Sequence, residues 1–205
     1  MAGRRAASRK EKKSQPGRLR IVAGKWRSRL VPVADVPGLR PTSARIRETL
    51  FNWLAPCIEG ASCLDLFAGT GALGLEALSR GARSVVFVEQ SPVACDVLRS
   101  SLRLLDASGG VLVQADARRY LAAGDLPQFD IVFLDPPFAD NLIADLCRLL
   151  QNSGCLAGKA RIYIEQDRAA EPVALPEGWT TIHDKTAGNV RYSLVTAQAS
   201  GGGKQ

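Results

Sequence analysis

Histidine is nearly absent from this sequence, since His183 is the single histidine among 205 residues. Without a second histidine or a Cys/His cluster, neither a histidine-ligated metal site nor a Ser-His-Asp triad is expected, and we interpret His183 as structural. The five cysteines are widely spaced and include no CxxC pair, which argues against a zinc site and a disulfide framework. We therefore expect buried, reduced thiols and no metal.

Long apolar runs are missing as well. No stretch approaches the roughly 18–20 apolar residues that a membrane-spanning helix needs. The N-terminus is basic but lacks the apolar segment of a secretory signal. Hydrophobic residues make up 46% of the chain and charged residues 23%, as in ordinary globular proteins. These features predict a cytoplasmic protein with no membrane partner, and a monomer is the default expectation.

Acidic residues are scarce in the first 29 positions, where 11 Lys and Arg residues face the single acid Glu11. This segment carries +10 of the formal charge, whereas the remaining residues sum to −3. Such basic arms favour nucleic acid because they neutralise phosphates, although a purely solubilising tail is the alternative. We expect a disordered basic tail over residues 1–18 and a flexible tail over residues 199–205.

The first part of the body predicts a β-hairpin and a helix. Apolar and basic residues alternate over residues 20–33, and a turn is expected at Gly24-Lys25. Thr42 or Ser43 can cap a helix that runs to about Leu54, before Pro56.

From residue 62 onwards, five apolar strands alternate with amphipathic helices. A closing hairpin follows, with its turn at or near Gly188-Asn189, and places an antiparallel strand at one end of the sheet. The pattern predicts an α/β fold with a mainly parallel seven-stranded sheet and helices on both faces. We expect one domain over residues 19–198, made of an extension (19–56) and a core (62–198).

A glycine-rich turn follows the first strand of this core, in the run "LDLFAGTGALGLEAL". Gly69 and Gly71 let a ligand approach the backbone at the carboxyl ends of the strands, where such folds bind ligands. Glu89 ends the next strand and can accept hydrogen bonds from both hydroxyls of a ribose. Asp116 ends the third strand, near the expected position of an adenine amino group.

The position of Asp65 distinguishes two kinds of ligand. This carboxylate lies four residues before Gly69, where it would repel the pyrophosphate of NAD or FAD. A cationic ligand with an amino-acid end would be attracted, which favours S-adenosylmethionine. The remaining alternative is that the glycines only permit tight packing.

The run "FLDPPFA" ends the fourth strand of the core. Asp135 and the carbonyl of Pro136 can accept the two N–H groups of an exocyclic amino group on a nucleobase, and the prolines offer no competing N–H. Phe138 supplies a ring on which a flipped base can stack. We interpret these three residues as the catalytic motif for methyl transfer to an amino nitrogen.

These motifs resemble those of class I, Rossmann-like methyltransferases that depend on S-adenosylmethionine. The runs "RIVAGKWRSRLVPV", "GLRPTSARIRETLFNWL" and "KTAGNVRYSL" extend the resemblance over residues 19–197 to the bacterial enzymes that methylate the N2 amino group of a guanine in 16S ribosomal RNA. The resemblance implies a substrate that is an assembled or nearly assembled small ribosomal subunit.

The resemblance also implies residue roles. The implied cofactor-binding residues are those at the methionine end (Asp65, Ala68, Gly69, Gly71), the ribose (Glu89), the adenine (Asp116, Ala117) and a lid (Thr42 and Arg47, in a segment with Arg40, Glu48 and Phe51). The implied RNA-binding residues are Arg20, Lys25, Arg27, Arg29 and Arg40.

Three alternatives remain open at this point. DNA amino methyltransferases share the Asp-Pro-Pro-Phe motif but need a separate target-recognition domain, which this chain has no room for. Protein glutamine methyltransferases usually carry asparagine where Asp135 stands. A non-enzymatic RNA-binding protein on the same fold would not need the acceptor motif.

Overall fold

The computed structural model describes residues 17–36, 41–137 and 142–197 of the chain. Nearly all of the expected tails therefore lies outside the described residues, as do Arg40 and Phe138. The described strands are β1 (Arg18–Arg20), β2 (Leu30–Pro32), β3 (Ser62–Asp65), β4 (Ser84–Glu89), β5 (Gly110–Gln114), β6 (Phe129–Leu134), β7 (Leu156–Asp167), β8 (Trp179–Ala187) and β9 (Val190–Ala197). The described helices are α1 (Ala44–Leu54), α2 (Ala72–Ser79), α3 (Pro92–Leu105), α4 (Ala117–Ala122) and α5 (Ile143–Asn152).

The N-terminal extension forms the predicted hairpin and helix. β1 and β2 pair antiparallel, but each has only three residues, and residues 21–29 connect them through a series of turns. The hydroxyl of Ser43 caps α1 by accepting a 3.3 Å hydrogen bond from the Ile46 amide. Ile46, Leu50 and Leu54 recur at the helical period and are buried against the core.

The central sheet has seven strands in the order β5-β4-β3-β6-β7-β9-β8. The five strands from β5 to β7 run parallel, whereas β9 is antiparallel to both of its neighbours. The closing hairpin thus lies at one end of the sheet as predicted. Within it, β9 occupies the inner position and β8 the edge. Since β3 and β6 are central neighbours, the chain segments that follow them emerge side by side.

Helices cover both faces of the sheet. On one face, α1, α2 and α3 pack against inward side chains such as Phe87 and Phe133. On the other face, α4 and α5 pack against side chains such as Leu134 and Ile164. The alternation of side chains along each strand produces these two cores. Together with the strand order, the layers bear out the predicted α/β fold.

The cysteines and the histidine differ in their burial. All five cysteines are free, four of them buried and Cys57 half-buried. His183 lies on the exposed side of β8 and stacks on Trp53, with ring centroids 4.8 Å apart. None of the helices within the described ranges combines the length and apolar character needed to cross a membrane.

Candidate active site

A cavity of about 1280 Å³ opens at the carboxyl ends of the central strands. Such an edge is where open α/β sheets bind ligands. The sequence-predicted residues that line the cavity are Thr42, Asp65, Ala68, Gly69, Glu89, Asp116, Ala117, Asp135 and Pro136. The folded chain therefore brings most of the predicted donor and acceptor residues into one space.

Asp65 ends β3 and is almost completely buried. Its carboxylate accepts a 3.0 Å hydrogen bond from the Gly74 amide, and the backbone of Phe67 contributes another. Burial raises the pKa of Asp65 to about 7, and the nearby Asp135 and Glu89 carboxylates raise it further, while these amide donors oppose the shift. A cation bound in the cavity would favour the ionised form of Asp65.

Glu89 organises the glycine-rich turn from the neighbouring strand. One of its carboxylate oxygens accepts the Gly69 amide at 2.8 Å, and the other accepts the Ser91 amide at 2.7 Å. Each carboxylate oxygen has a second lone pair, so both can still accept a ligand hydroxyl. Asp116 caps α4 by accepting the Arg119 amide at 3.0 Å, and it holds Ala117 at the same wall of the cavity.

The two predicted glycines have different positions. Gly69 lines the cavity with φ of 50°, a left-handed conformation that favours glycine. Gly71 does not line the cavity. It has φ of 77° and begins α2, and an added Cβ would lie 2.5 Å from the Leu98 side chain. Gly71 therefore shapes the turn without touching the space that a ligand would fill.

Asp135 follows β6 and lies beside the segment that follows β3. The Thr42 hydroxyl donates to its Oδ2 at 3.1 Å, and no other described residue donates to the carboxylate. Burial raises the pKa of Asp135 to about 6, and the bond from Thr42 opposes the shift. One carboxylate oxygen of Asp135 and the adjacent Pro136 carbonyl are thus available as acceptors at the cavity.

A second acid at this wall was missed by the sequence analysis. Glu165 of β7 lines the cavity, is 5% exposed, and accepts a 2.6 Å hydrogen bond from the Tyr163 hydroxyl. Burial raises the pKa of Glu165 to about 8, with the charge of Asp135 as a further cause. Its position in "ARIYIEQD" resembles ordinary polar alternation in a strand, so only the pairing with β6 reveals it.

Arg47 is not brought to the cavity, contrary to its expected place in a cofactor lid. Its guanidinium is buried and donates to Glu76 at 2.9 Å, to the Arg20 carbonyl at 2.8 Å and to the Thr42 carbonyl at 3.2 Å. The helical period of α1 turns this residue inward, where Glu76 compensates its charge. Phe51 is likewise fully buried, 6.0 Å from Phe133 between ring centroids, and Glu48 points to solvent.

The predicted RNA-binding cations Arg20, Lys25, Arg27 and Arg29 are all exposed. The turns that carry the last three pack against the far ends of α2 and α3, since Lys25 N–H donates to the Ser79 carbonyl and Arg29 donates to the Leu104 carbonyl. The cavity lies at the opposite end of α2, roughly 12 Å away for a helix of this length. Trp26 is buried beneath the turns and is closed to base stacking.

The charges that line the cavity suit S-adenosylmethionine, the methyl donor expected from the sequence. Asp65, Glu89, Asp135 and Glu165 supply carboxyl groups, and Arg118 is the one lysine or arginine among the described lining residues. This charge balance suits a sulfonium and an ammonium group and opposes a pyrophosphate. The volume exceeds the roughly 300–1,000 Å³ of typical small-molecule sites, which leaves room for a substrate group. The residues therefore fit the cofactor.

A resident metal has no comparable site in the described ranges, where no group of three or more His, Cys, Asp or Glu side chains is arranged to hold an ion.

Comparison with known proteins gives consistent results. Residues 19–196 match the family model described as conserved hypothetical protein 95. Ribosomal RNA small subunit methyltransferase D of Escherichia coli K12 is 45% identical over 188 residues, covering 92% of this chain and 94% of that protein. The protein of the same name from Haemophilus influenzae is 44% identical, covering 87% and 93%. The solved structure of the candidate methyltransferase yhhF from Escherichia coli superposes with a TM-score of 0.84 at 42% identity, covering 89% and 99%.

The fold, the acidic cavity and these relatives define a Rossmann-like methyltransferase of class I, whose cavity fits S-adenosylmethionine as its cofactor. The predicted fold class and cofactor are thereby confirmed. The chain belongs to the ribosomal RNA small subunit methyltransferase D family, which confirms the family resemblance seen in its sequence.

Proposed function

We propose that this protein transfers a methyl group from S-adenosylmethionine to the N2 amino group of one guanine in 16S ribosomal RNA. The relatives are named as methyltransferases of small-subunit ribosomal RNA, which supports the substrate. The observation that carries the proposal is the half-buried Asp135 carboxylate, which lines the cavity and keeps a free oxygen beside the Pro136 carbonyl. The bacterial cytoplasm is the compartment where such a substrate exists.

The donor side is formed by residues of β3 and β4 and the segments that follow them. Asp65 with Ala68 and Gly69 would hold the methionine end, Glu89 the ribose, and Asp116 with Ala117 the adenine. S-adenosylmethionine, when bound, supplies an electrophilic methyl group on a positively charged sulfur. Thr42 closes the same space and reaches the acceptor motif through its hydroxyl.

Asp135 and Pro136 prepare the acceptor nitrogen. The lone pair of an exocyclic amino group is delocalised into the ring, so the free group is a poor nucleophile. Two fixed acceptors for its N–H groups hold the nitrogen towards a tetrahedral geometry and direct its lone pair outwards. The ionised Asp135 carboxylate also provides a place for the proton that leaves after transfer. We further propose that the flipped guanine stacks on the ring of Phe138.

We assign RNA binding to the exposed cations Arg20 of β1 and Lys25, Arg27 and Arg29 of the turns after it, together with Arg40. Because these turns lie about one helix length from the cavity, they would contact phosphates of nucleotides other than the target. An assembled or nearly assembled small subunit, bound by a monomer, presents such distant phosphates in a fixed arrangement.

The test is transfer of a labelled methyl group to small subunits from cells that lack the enzyme, followed by mapping of the modified atom. We expect label on N2 of a single guanine in 16S ribosomal RNA. Asp135→Ala should abolish transfer and leave cofactor affinity within a few-fold. Asp130→Ala, at the opposite end of the same strand, should stay active. Label on DNA, on a protein amide or on another base atom would refute the proposal.

A further inference from the structure

We infer that Glu165 selects guanine as the target base by accepting its ring N1–H, beside the amino group held by Asp135 and Pro136. The inference deepens the proposed function and rests on it. The sequence motif alone treats every ring-attached amino group alike, whereas a second acceptor at a fixed offset distinguishes the bases.

The strand register places Glu165 next to Asp135. Leu134 of β6 pairs with Ile164 of β7 in a parallel ladder, and the next residue on each chain is Asp135 and Glu165 respectively. The two carboxyl groups are close enough to influence each other electrostatically. Neighbouring strands lie about 4.8 Å apart, so carboxyl groups on two adjacent strands can reach neighbouring hydrogen-bond donors on the edge of one base.

The order of the strands separates this pair from the donor side. Four acids lie at or near the carboxyl ends of four successive strands, Glu89 at β4, Asp65 at β3, Asp135 at β6 and Glu165 at β7. The first two accept amides of the glycine turn and of α2, on the side that would hold the cofactor. Glu165 is two strands from Asp65, or roughly 10 Å. It is therefore placed to meet the acceptor base and not the cofactor.

Glu165 is also held in one orientation with one oxygen left over. Its Oε2 accepts the Tyr163 hydroxyl at 2.6 Å, and Tyr163 is fully buried against Phe133, with 6.5 Å between ring centroids. No described residue donates to Oε1. Since every fully buried polar side-chain atom of the described residues has a partner, this unpaired oxygen is reachable from the cavity that Glu165 lines.

The chemistry of the base edges makes this oxygen selective. Guanine presents an N1–H donor directly beside its two N2–H donors. At the equivalent ring position next to their amino groups, adenine and cytosine present acceptors, which the ionised carboxylate repels. The Tyr163 hydroxyl favours this ionised form of Glu165, and a bound N1–H donor would favour it further. Guanine alone offers a row of donors that fits two carboxylates and a carbonyl, and an unmatched buried acceptor carries a substantial penalty.

The test compares guanine with 2-aminopurine at the target position of 16S ribosomal RNA in reconstituted small subunits. 2-Aminopurine keeps the amino group but has an acceptor at N1. Wild-type enzyme should favour guanine in kcat/KM, and Glu165→Gln should reduce that preference by roughly tenfold to a hundredfold. The glutamine amide of Glu165→Gln can donate a hydrogen bond to N1 of 2-aminopurine, so kcat/KM should fall for guanine and not for 2-aminopurine. Cofactor affinity, measured by calorimetry without RNA, should stay within a few-fold.

Two further variants complete the design. Tyr163→Phe removes the orienting hydroxyl and should reduce the preference in the same direction by a smaller factor, and it serves if Glu165→Gln fails to fold. Asp167→Asn changes another carboxyl on the same strand and should leave the preference unchanged.

The inference is overturned if Glu165→Gln and Tyr163→Phe both keep the wild-type preference while guanine is still methylated, a result that leaves the proposed function intact. It is also overturned if Glu165→Gln loses cofactor binding. Wild-type enzyme that leaves the guanine at N2 unmethylated would instead refute the proposed function, and the inference with it.

Discussion

The hydroxyl of Thr42 donates a 3.1 Å hydrogen bond to the carboxylate of Asp135, which lies 93 positions later in the chain. The bond joins the segment before α1 to the end of β6, and both residues line the cavity. It also opposes the effect of burial on Asp135, whose pKa rises to about 6. The N-terminal extension is thus tied to the residue that is proposed to hold the acceptor nitrogen.

Thr42→Val should move the acid limb of the pH–rate profile to higher pH. Asp135 works as an acceptor only when ionised, so the single-turnover rate should rise with pH through about 6 in the wild type. Loss of a hydrogen bond to the charged form raises the pKa of Asp135 further, by roughly one pH unit. Thr49→Val, whose hydroxyl bonds to the Arg45 carbonyl within α1, is the matched control. Coincident profiles for Thr42→Val and wild type would contradict the assignment.

Glu165→Gln should flatten the dependence of stability on pH. Burial raises the pKa of Glu165 from 4.5 to about 8 in the folded protein. A carboxyl with a raised pKa holds its proton more tightly when folded, so stability is greatest at low pH and declines as pH rises from about 4.5 towards 8. The variant should lower that slope by up to about 1.4 kcal/mol per pH unit.

The measurement is the free energy of unfolding in urea between pH 5 and pH 8.5, without cofactor. The exposed carboxyl of Glu171 provides the control, because Glu171→Gln should follow the wild-type slope. Since Asp65 and Asp135 also have raised pKa values, part of the slope should remain in Glu165→Gln. An unchanged slope would show that the Glu165 carboxyl titrates normally.

The sequence allowed the donor side to be predicted because it depends on local patterns. Asp65, Gly69 and Glu89 each follow from a strand end and a turn, and parallel strands bring their carboxyl ends to one edge. Residue type alone narrowed the cap of α1 to Thr42 or Ser43, and the structure shows that Ser43 is the cap. The folded positions of these residues agree with the sequence patterns.

Residues whose surroundings are set by distant chain segments could not be predicted in this way. Arg47 looks like a surface cation on a helix, and its buried partner Glu76 comes 29 residues later. Glu165 looks like a polar position in a strand until the register with β6 is known. Gly71 matches the same motif as Gly69, but it does not line the cavity, and the Leu98 side chain lies where a Cβ at this position would need space.

Glu76→Gln should destabilise the protein by about 3–5 kcal/mol, because it breaks a buried charge network. The Glu76 carboxylate is fully buried and accepts the amides of Val22 and Ala23 and the guanidinium groups of Arg47 and Arg80, each at 2.9 Å. The NH2 group of a glutamine would face N–H donors in place of one carboxylate oxygen, and Arg47 would be left buried without a counter-charge. Urea denaturation is the measurement, and the N-terminal hairpin should become sensitive to protease.

The control for this change is Glu48→Gln on the exposed side of α1. It removes a carboxylate of the same size and should alter stability by no more than about 0.5 kcal/mol. Equal stabilities of Glu76→Gln and Glu48→Gln would contradict a structural role for the network.

Lys25→Gln, Arg27→Gln and Arg29→Gln should each weaken binding to the small subunit and reduce its salt dependence. Every lost phosphate contact should lower the slope of log K against log salt by about one. Arg148→Gln removes an exposed cation on α5, on the opposite face of the sheet, and should leave the slope unchanged. If all four variants shift the slope equally, the effect is net charge and not a localised contact.

The burial of Trp26 beneath the basic turns has a consequence for the thermodynamics of RNA binding. Its ring is inserted into the core while its amide is tied to the Ser79 hydroxyl at 3.0 Å, so the segment around it is stiff before any partner arrives. A segment that is already ordered loses little conformational entropy when it binds, unlike a segment that must become ordered on binding. Binding of RNA to this segment should therefore be governed by counterion release, with a small entropic cost from the protein itself.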